Sequence, residues 1–253
     1  MSLDVHRADD TPLLHVDSVS KRFGGVQALS SVSFTVAARE VLAIVGANGA
    51  GKSTLVKLLG GVLRPDSGEI WLDGERLDRG DVNLSRSLGV EVVYQDLGLV
   101  PNMDAAFNLF LGRTPRRYGF FVDRRKMLRE TRAVLEALHI STLRNLSIPV
   151  ENLSGGQRQA LAIGRTLASR RRVAVFDEPA AALGVEETEE VLRLIERLRD
   201  EGTAVITVSH NMDHVFRLAD RILVMHSGCA VACINRDDAA VDQIVQLIML
   251  GEL

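Results

Sequence analysis

Three stretches of this chain hold residues whose types and spacing suit chemistry on a phosphorylated ligand. GANGAGKST (46–54) has the spacing of a phosphate loop: Gly46, then Ala47, Asn48, Gly49 and Ala50, then Gly51, Lys52 and the hydroxyl of Ser53, with Thr54 after it. Backbone N–H groups from Asn48 to Thr54 can wrap phosphate oxygens, and the partial positive charge of a helix N-terminus adds to their pull. Lys52 is placed to reach the β- and γ-phosphates, and Ser53 to bind Mg²⁺. In VAVFDEPAAALGVEETEE (173–190) an apolar run ends on two adjacent acids. Asp177, at the strand end, suits the metal, held through water. Glu178, one residue on and pointing differently, suits the base that orients or deprotonates an attacking water. In ENLSGGQRQALAIGRTLA (151–168), Ser154, Gly155 and Gly156 open a helix and offer an anion free N–H groups and a hydroxyl.

Such groups need a rigid frame. VLAIV (41–45) is a continuous apolar run of the kind found in a strand buried on both faces, and it leads through the glycine turn into a helix-like STLVKLLGGVL. VAVF (173–176) and AVITVS (204–209) read the same way, with the amphipathic VEETEEVLRLIERLRDEG between them and Gly202 as its stop. Strands alternating with helices predict a parallel sheet covered on both sides, with ligands beyond the strands' carboxyl ends. Upstream, LLHVDSV and VSFTV read as short strands separated by a loop, KRFGGVQALS, and RPDSGEIWLDGERL as turn, strand, turn and strand. The stretch from about 97 to 170 is mostly helical in pattern and predicts a side lobe inserted between the first and second core strands.

Bulk composition narrows the partners. At 253 residues the chain suits one domain with a lobe, and 46% hydrophobic with 25% charged residues is ordinary for a soluble globular protein. A net charge of -3 argues against a nucleic-acid binder that works by overall positive charge. Cys229 and Cys233 have no second pair to complete a metal site and read as small apolar fillers in a reduced, cytosolic chain. The start, MSLDVHRADDTP, lacks the apolar core of a secretory signal, and no apolar run approaches the roughly 20 residues of a membrane span.

The order of the three stretches, phosphate loop, LSGGQ and then the strand ending Asp-Glu, resembles the ATP-binding cassette (ABC) family, the nucleotide-binding subunits of ABC transporters, over nearly the whole chain. The resemblance implies an α/β P-loop NTPase fold with a mixed, mainly parallel core sheet, an antiparallel β subdomain and an inserted α-helical subdomain at about residues 96–168. It implies a single domain over 11–253 after a flexible tail, 1–10. ATP and Mg²⁺ follow as cofactors. So does a head-to-tail dimer in which each ATP lies between one chain's GANGAGKST and the other's Leu153, Ser154, Gly155, Gly156 and Gln157. Position by position, Phe23 in KRFGGVQAL matches the aromatic that stacks on adenine. Gln95 in VVYQDL matches the glutamine that touches Mg²⁺ and water and reports nucleotide state to the transmembrane partner. His210 in VITVSHN matches the switch histidine that contacts the γ-phosphate.

YQDLGLVPNMDAAFNLFLGR, DEPAAALGVEET and the terminal IVQLIMLGEL look like the ATPases of monosaccharide importers of the ribose, xylose and fructose type. Most of that group fuse two cassettes, so this chain is expected to form a homodimer, or a heterodimer with a second cassette. Its further partners are an integral membrane permease and, indirectly, an extracytoplasmic solute-binding protein. That places it in the cytoplasm, peripheral on the inner face of the cell membrane. Amino acids or another small solute are the alternative cargo, and a permease-free regulatory or nucleic-acid ATPase the alternative class. The basic run Arg113, Arg116, Arg117, Arg124, Arg125, Lys126, Arg129 and Arg132 reads as a solvated helical face near anionic headgroups; beyond Tyr118, Phe120 and Phe121 it has no aromatic interleaving suited to base stacking. Gly184 stands where most cassette families have an aspartate that pairs across the interface, and Ala180 lacks a hydroxyl common there. The resemblance makes Gly184 a subfamily mark that leaves hydrolysis intact.

Overall fold

A computed structural model of the chain describes residues 12–137, 143, 145–167, 171–181 and 183–252. The tail expected at 1–10 lies outside them, as do 138–142, 144 and 168–170 of the stretch read as mostly helical. The chain divides into two units. The first runs to Val92 and resumes at Arg171–Glu178 and Leu198–Leu253; the second comprises Val93–Arg170 and Pro179–Arg197.

In the first unit the apolar runs form the centre of a six-stranded sheet. Val41–Gly46 is β3, Val173–Asp177 is β9 and Ala204–Val208 is β10. Val41 to Val45 and Val173 to Phe176 expose nothing, as continuous apolar strands do when both faces are covered. With β6 (Val90–Val93), β11 (Arg221–His226) and β12 (Cys229–Asn235) the order is β12-β11-β3-β10-β9-β6. Neighbours from β11 to β9 are parallel, and β12 is antiparallel to β11. Helix α1 (Lys52–Leu59) packs on β3 and β9, and α7 (Met212–Leu218) and α8 (Val241–Leu250) pack on β3. Val215, Ile244 and Leu247 of these last two helices, with Ala219 just past α7, close over Ala43, Val45, Ile222 and Val224 in one apolar cluster.

A second, antiparallel sheet has the order β2-β1-β4-β5, with β1 at Leu14–Phe23, β2 at Val26–Val36, β4 at Ser67–Leu72 and β5 at Glu75–Arg76. Here the expected loop KRFGGVQALS is corrected: all but Gly24 and Gly25 is strand, in a long hairpin where Phe23 pairs with Val26. A two-glycine turn suffices because Gly24 takes φ +55. Register shifts between Val16 and Arg22 blur the alternation that would have revealed the strands.

Among its described residues, the second unit is less helical over 97–170 than the pattern there predicts. It contains α3 (Ala105–Leu109), a two-stranded hairpin of β7 (Arg116–Arg117) and β8 (Phe121–Val122), α4 (Arg124–Ala137), a 3-10 turn at Val150–Asn152 and α5 (Gly155–Leu167). Leu109, Met127, Leu135, Val150 and Leu161 meet in its core. The basic run is therefore no single helical face. Arg116 and Arg117 lie on the hairpin, Arg113 donates to the Arg165 carbonyl at 2.6 Å, and Arg124 pairs with Asp104.

Candidate functional site

Gly46 ends β3 and Lys52 begins α1, so Ala47 to Gly51 make the turn between them. The turn is fastened from outside. Gly228 N–H, between β11 and β12, donates to Ala50 O at 3.2 Å, and Ser30 N–H of β2 donates to Gly228 O at 2.8 Å. Gly51 has φ +99, and a Cβ on it would fall 2.5 Å from Ala28 O and 2.7 Å from Leu29 Cδ2, so only glycine fits. The Lys52 ammonium folds over the loop and donates to Gly46 O at 2.7 Å and Ala47 O at 2.9 Å. Burial holds its pKa below that of an ordinary lysine, with the charges of Glu178 and Asp177 pulling the other way. An arriving phosphate would meet a cation only partly compensated by carbonyl dipoles.

Asp177 is buried at the end of β9. Its pKa lies above the usual carboxylate range, first because of desolvation and then because of Glu178; Lys52, Lys57 and a hydrogen bond from Ser53 oppose this. A raised carboxyl pKa means the folded state disfavours the charge, so this site costs stability once the pH passes the unfolded value. Asp177→Asn is therefore expected to raise the Tm of the nucleotide-free chain at pH 7 by roughly 2–4 °C, the shift of about 1 kcal/mol in a domain of this size. The gain should shrink as the pH falls and Asp177 itself protonates, which thermal scans at two pH values would check.

Glu178 is one of the few residues other than glycine with positive φ, +56, a conformation costing on the order of 1–3 kcal/mol. Its N–H still donates to Val208 O at 3.0 Å, so the backbone turns immediately past the last ladder bond. The two Glu178 carboxylate oxygens lie 2.9 and 2.8 Å from His210 Nδ1. The histidine side chain is 74% exposed and the glutamate 17%. The open face of this pair belongs to the imidazole.

Phe23, at the hairpin tip, is 48% exposed, with Lys21 Nζ 5.8 Å from its ring centroid. The β2 strand that abuts Gly51 through Ala28 and Leu29 begins just past this turn, at Val26. Lys52, Ser53, Asp177, Glu178, His210 and Phe23 all belong to the first unit; Gln95 and Leu153–Gln157 belong to the second. Gln95 is exposed, two residues beyond β6. The chain after it is stitched down by Asn108, which the sequence reading passed over: its buried amide accepts from Val100 N–H and donates to Val100 O, Met103 O and Asp104 O. The signal was an amide inside an otherwise apolar helical turn.

LSGGQ forms a reciprocal cap. Ser154 Oγ accepts from Gln157 N–H at 3.2 Å, and Gln157 Oε1 accepts from Ser154 N–H at 3.0 Å, while Leu153 is buried beneath. A residue not singled out by its sequence joins them. Glu187, in the first turn of α6 (Val185–Asp200), accepts from Ser154 Oγ at 3.0 Å, Gly156 N–H at 3.2 Å and Gly184 N–H at 3.2 Å.

A buried strand, glycine turn and helix at the heart of a mainly parallel sheet, with paired acids ending another core strand, define a P-loop NTPase. Residues 29–181 match the family model described as ABC transporter, and the chain belongs to that family. It is 41% identical over 240 residues to the fructose import ATP-binding protein FrcA of Rhizobium meliloti, covering 92% of each chain. It is 38% identical over 236 residues to the xylose/arabinose import ATP-binding protein XylG of Sulfolobus acidocaldarius, covering 93% of each. The arabinose import ATP-binding protein AraG of Chromohalobacter salexigens is 44% identical over 215 residues, and there the match spans 43% of the relative's length. A solved nucleotide-free ATP-binding cassette from an ABC transporter has the same fold, with a TM-score of 0.81 at 24% identity over 94% of this chain and 96% of that one. Among the described residues no helix is long and apolar enough to cross a membrane.

Proposed function

We propose that the chain is the ATP-hydrolysing subunit of an importer for a simple sugar, working as a head-to-tail dimer beneath a membrane permease. The observation that carries the chemistry is Glu178, held by His210 next to Asp177 in the unit that contains the phosphate loop. Relatives named for fructose, xylose and arabinose import support the cargo class.

The residues present fit Mg²⁺. The Ser53 hydroxyl and the Asp177 carboxylate are hard oxygen donors, and two adjacent acids leave a negative excess that a divalent cation relieves. Ser53 and Asp177 would hold the ion, with Gln95 as a further ligand, and it would neutralise phosphate charge developing in the transition state. Backbone N–H groups of Asn48 to Thr54 and the Lys52 ammonium bind the phosphates, and Phe23 stacks on the base. Glu178 orients the attacking water and receives its proton on a carboxylate oxygen, and His210 keeps that oxygen aimed. On this reading 11–253 act as one cassette with a helical subdomain at about 96–168, and Leu153–Gln157 contact the ATP of the facing cassette. Docking on the permease puts the chain at the inner membrane face, with a solute-binding protein acting from the other side.

Native-membrane purification should recover an integral membrane permease with this chain, and its ATPase rate in liposomes should rise with a sugar-loaded binding protein. Recovery of a soluble complex carrying RNA or DNA, with no permease, would overturn the proposal. Stimulation by amino-acid-loaded protein alone would overturn the sugar assignment.

A further inference from the structure

Glu187 lies where an incoming anion has most to gain. As the third residue of α6 it reaches back to the Gly184 N–H, half of a capping box. At the same time its other oxygen takes the Ser154 hydroxyl and the Gly156 N–H at the start of α5. One carboxylate thus serves the positive ends of two helices. These three bonds, Gly184 first, then Gly156 and Ser154, hold its pKa below the usual glutamate value. Packing is correspondingly close: a Cβ on Gly156 would fall 2.7 to 2.9 Å from Glu187 Cγ, Cδ and Cβ. Glycine at 156 therefore makes room for this side chain. On the other side, a Cβ on Gly184 would have only Glu187 Oε2 within 4 Å, at 3.8 Å.

We propose that Glu187 is an internal occupant of the LSGGQ loop, filling the donors that a phosphate of the facing cassette's ATP takes, so that its release sets how much ATP is needed to close the dimer. This rests on the reading of Leu153–Gln157 as the contact to the partner's nucleotide. Each N–H and the hydroxyl proton serve one strong acceptor at a time, and a carboxylate and a phosphate within a few ångströms repel. A competent loop is the fraction from which Glu187 has rotated away, and the apparent affinity for the facing nucleotide falls by that fraction. Since Glu187 is only partly buried, rotation into solvent needs no backbone change.

The test uses the full chain carrying Glu178→Gln, titrated with MgATP and followed to dimer by analytical ultracentrifugation. Glu187→Ala is expected to lower the half-maximal ATP concentration about tenfold, or about 1.4 kcal/mol. Glu187→Gln keeps the shape and one acceptor and loses the charge, so it should shift the midpoint in the same direction with little change in Tm, separating release from misfolding. Midpoints that stay put or rise in both variants would overturn the proposal and make Glu187 a support of the loop. Ser154→Ala added to Glu187→Ala tests the underlying reading, because with the latch gone the hydroxyl proton is left for phosphate while the oxygen keeps only its cap to Gln157 N–H, whose loss a Tm measurement registers. That addition should raise the ATP requirement. If it has no effect, or if no variant dimerises with ATP, the reading of LSGGQ fails and the proposal falls with it.

Discussion

Glu178→Gln should hydrolyse ATP about 10² to 10⁴ times more slowly than the parent, the range that a positioned general base contributes. MgATP affinity should stay within a few-fold, and the variant should accumulate as an ATP-bound dimer. The substitution is nearly isosteric and leaves the backbone free to keep its φ of +56 and its bond to Val208 O. A primary amide can donate or accept, so it can still hydrogen-bond His210 Nδ1 and keep the side chain aimed while losing its ability to take a proton. Charge beside Asp177 also falls by one unit, which favours keeping the metal-bound nucleotide. Phosphate release measured alongside nucleotide binding and sedimentation separates these effects. Turnover at the parent rate would remove Glu178 from the role of base.

Gly51→Ala should abolish useful nucleotide binding while leaving a cooperative thermal transition. The added carbon cannot stay 2.5 Å from Ala28 O, and φ +99 is strained for alanine, so the turn must shift or β2 must retreat. Either movement displaces the N–H groups that follow, and with them Lys52. Affinity for a fluorescent ATP analogue is expected to drop at least about 100-fold, equivalent to about 2.7 kcal/mol. The strain is local to a loop and a hairpin edge, so the buried strands β3, β9 and β10 should keep the protein folded. Retained binding would mean that the loop accommodates a side chain there and that its tight fit is not functional.

Much of the central frame was legible because buried parallel strands are nearly pure in composition: VLAIV, VAVF and AVITV are continuous apolar runs, and the first leads through a glycine turn into a helix. The β1 and β2 hairpin was not, because its register shifts interrupt the two-residue alternation on which strand reading depends. Edge strands such as β6 are short and hide among neighbouring segments. At the candidate site, residue types named the chemistry, yet the meeting of Glu178 and His210 depends on pairing between β9 and β10 and on a left-handed backbone, neither of which leaves a mark in composition. Gly184 shows the same limit. Read along the chain it is a missing aspartate; in space its N–H holds Glu187, and an acid there would set a second negative charge beside that carboxylate.

The position of β3 has a consequence for biosynthesis. It lies between β10 and β11, and the turn after β11 supplies the N–H that fastens Ala50. The phosphate loop emerges before most of its supports, which are strands encoded far downstream. Contacts of such sequence separation form slowly and late. A nascent chain stopped before Arg221 therefore carries an intact GANGAGKST motif with β10 on one side of β3, but without β11 on the other and without the Gly228 N–H that fastens Ala50.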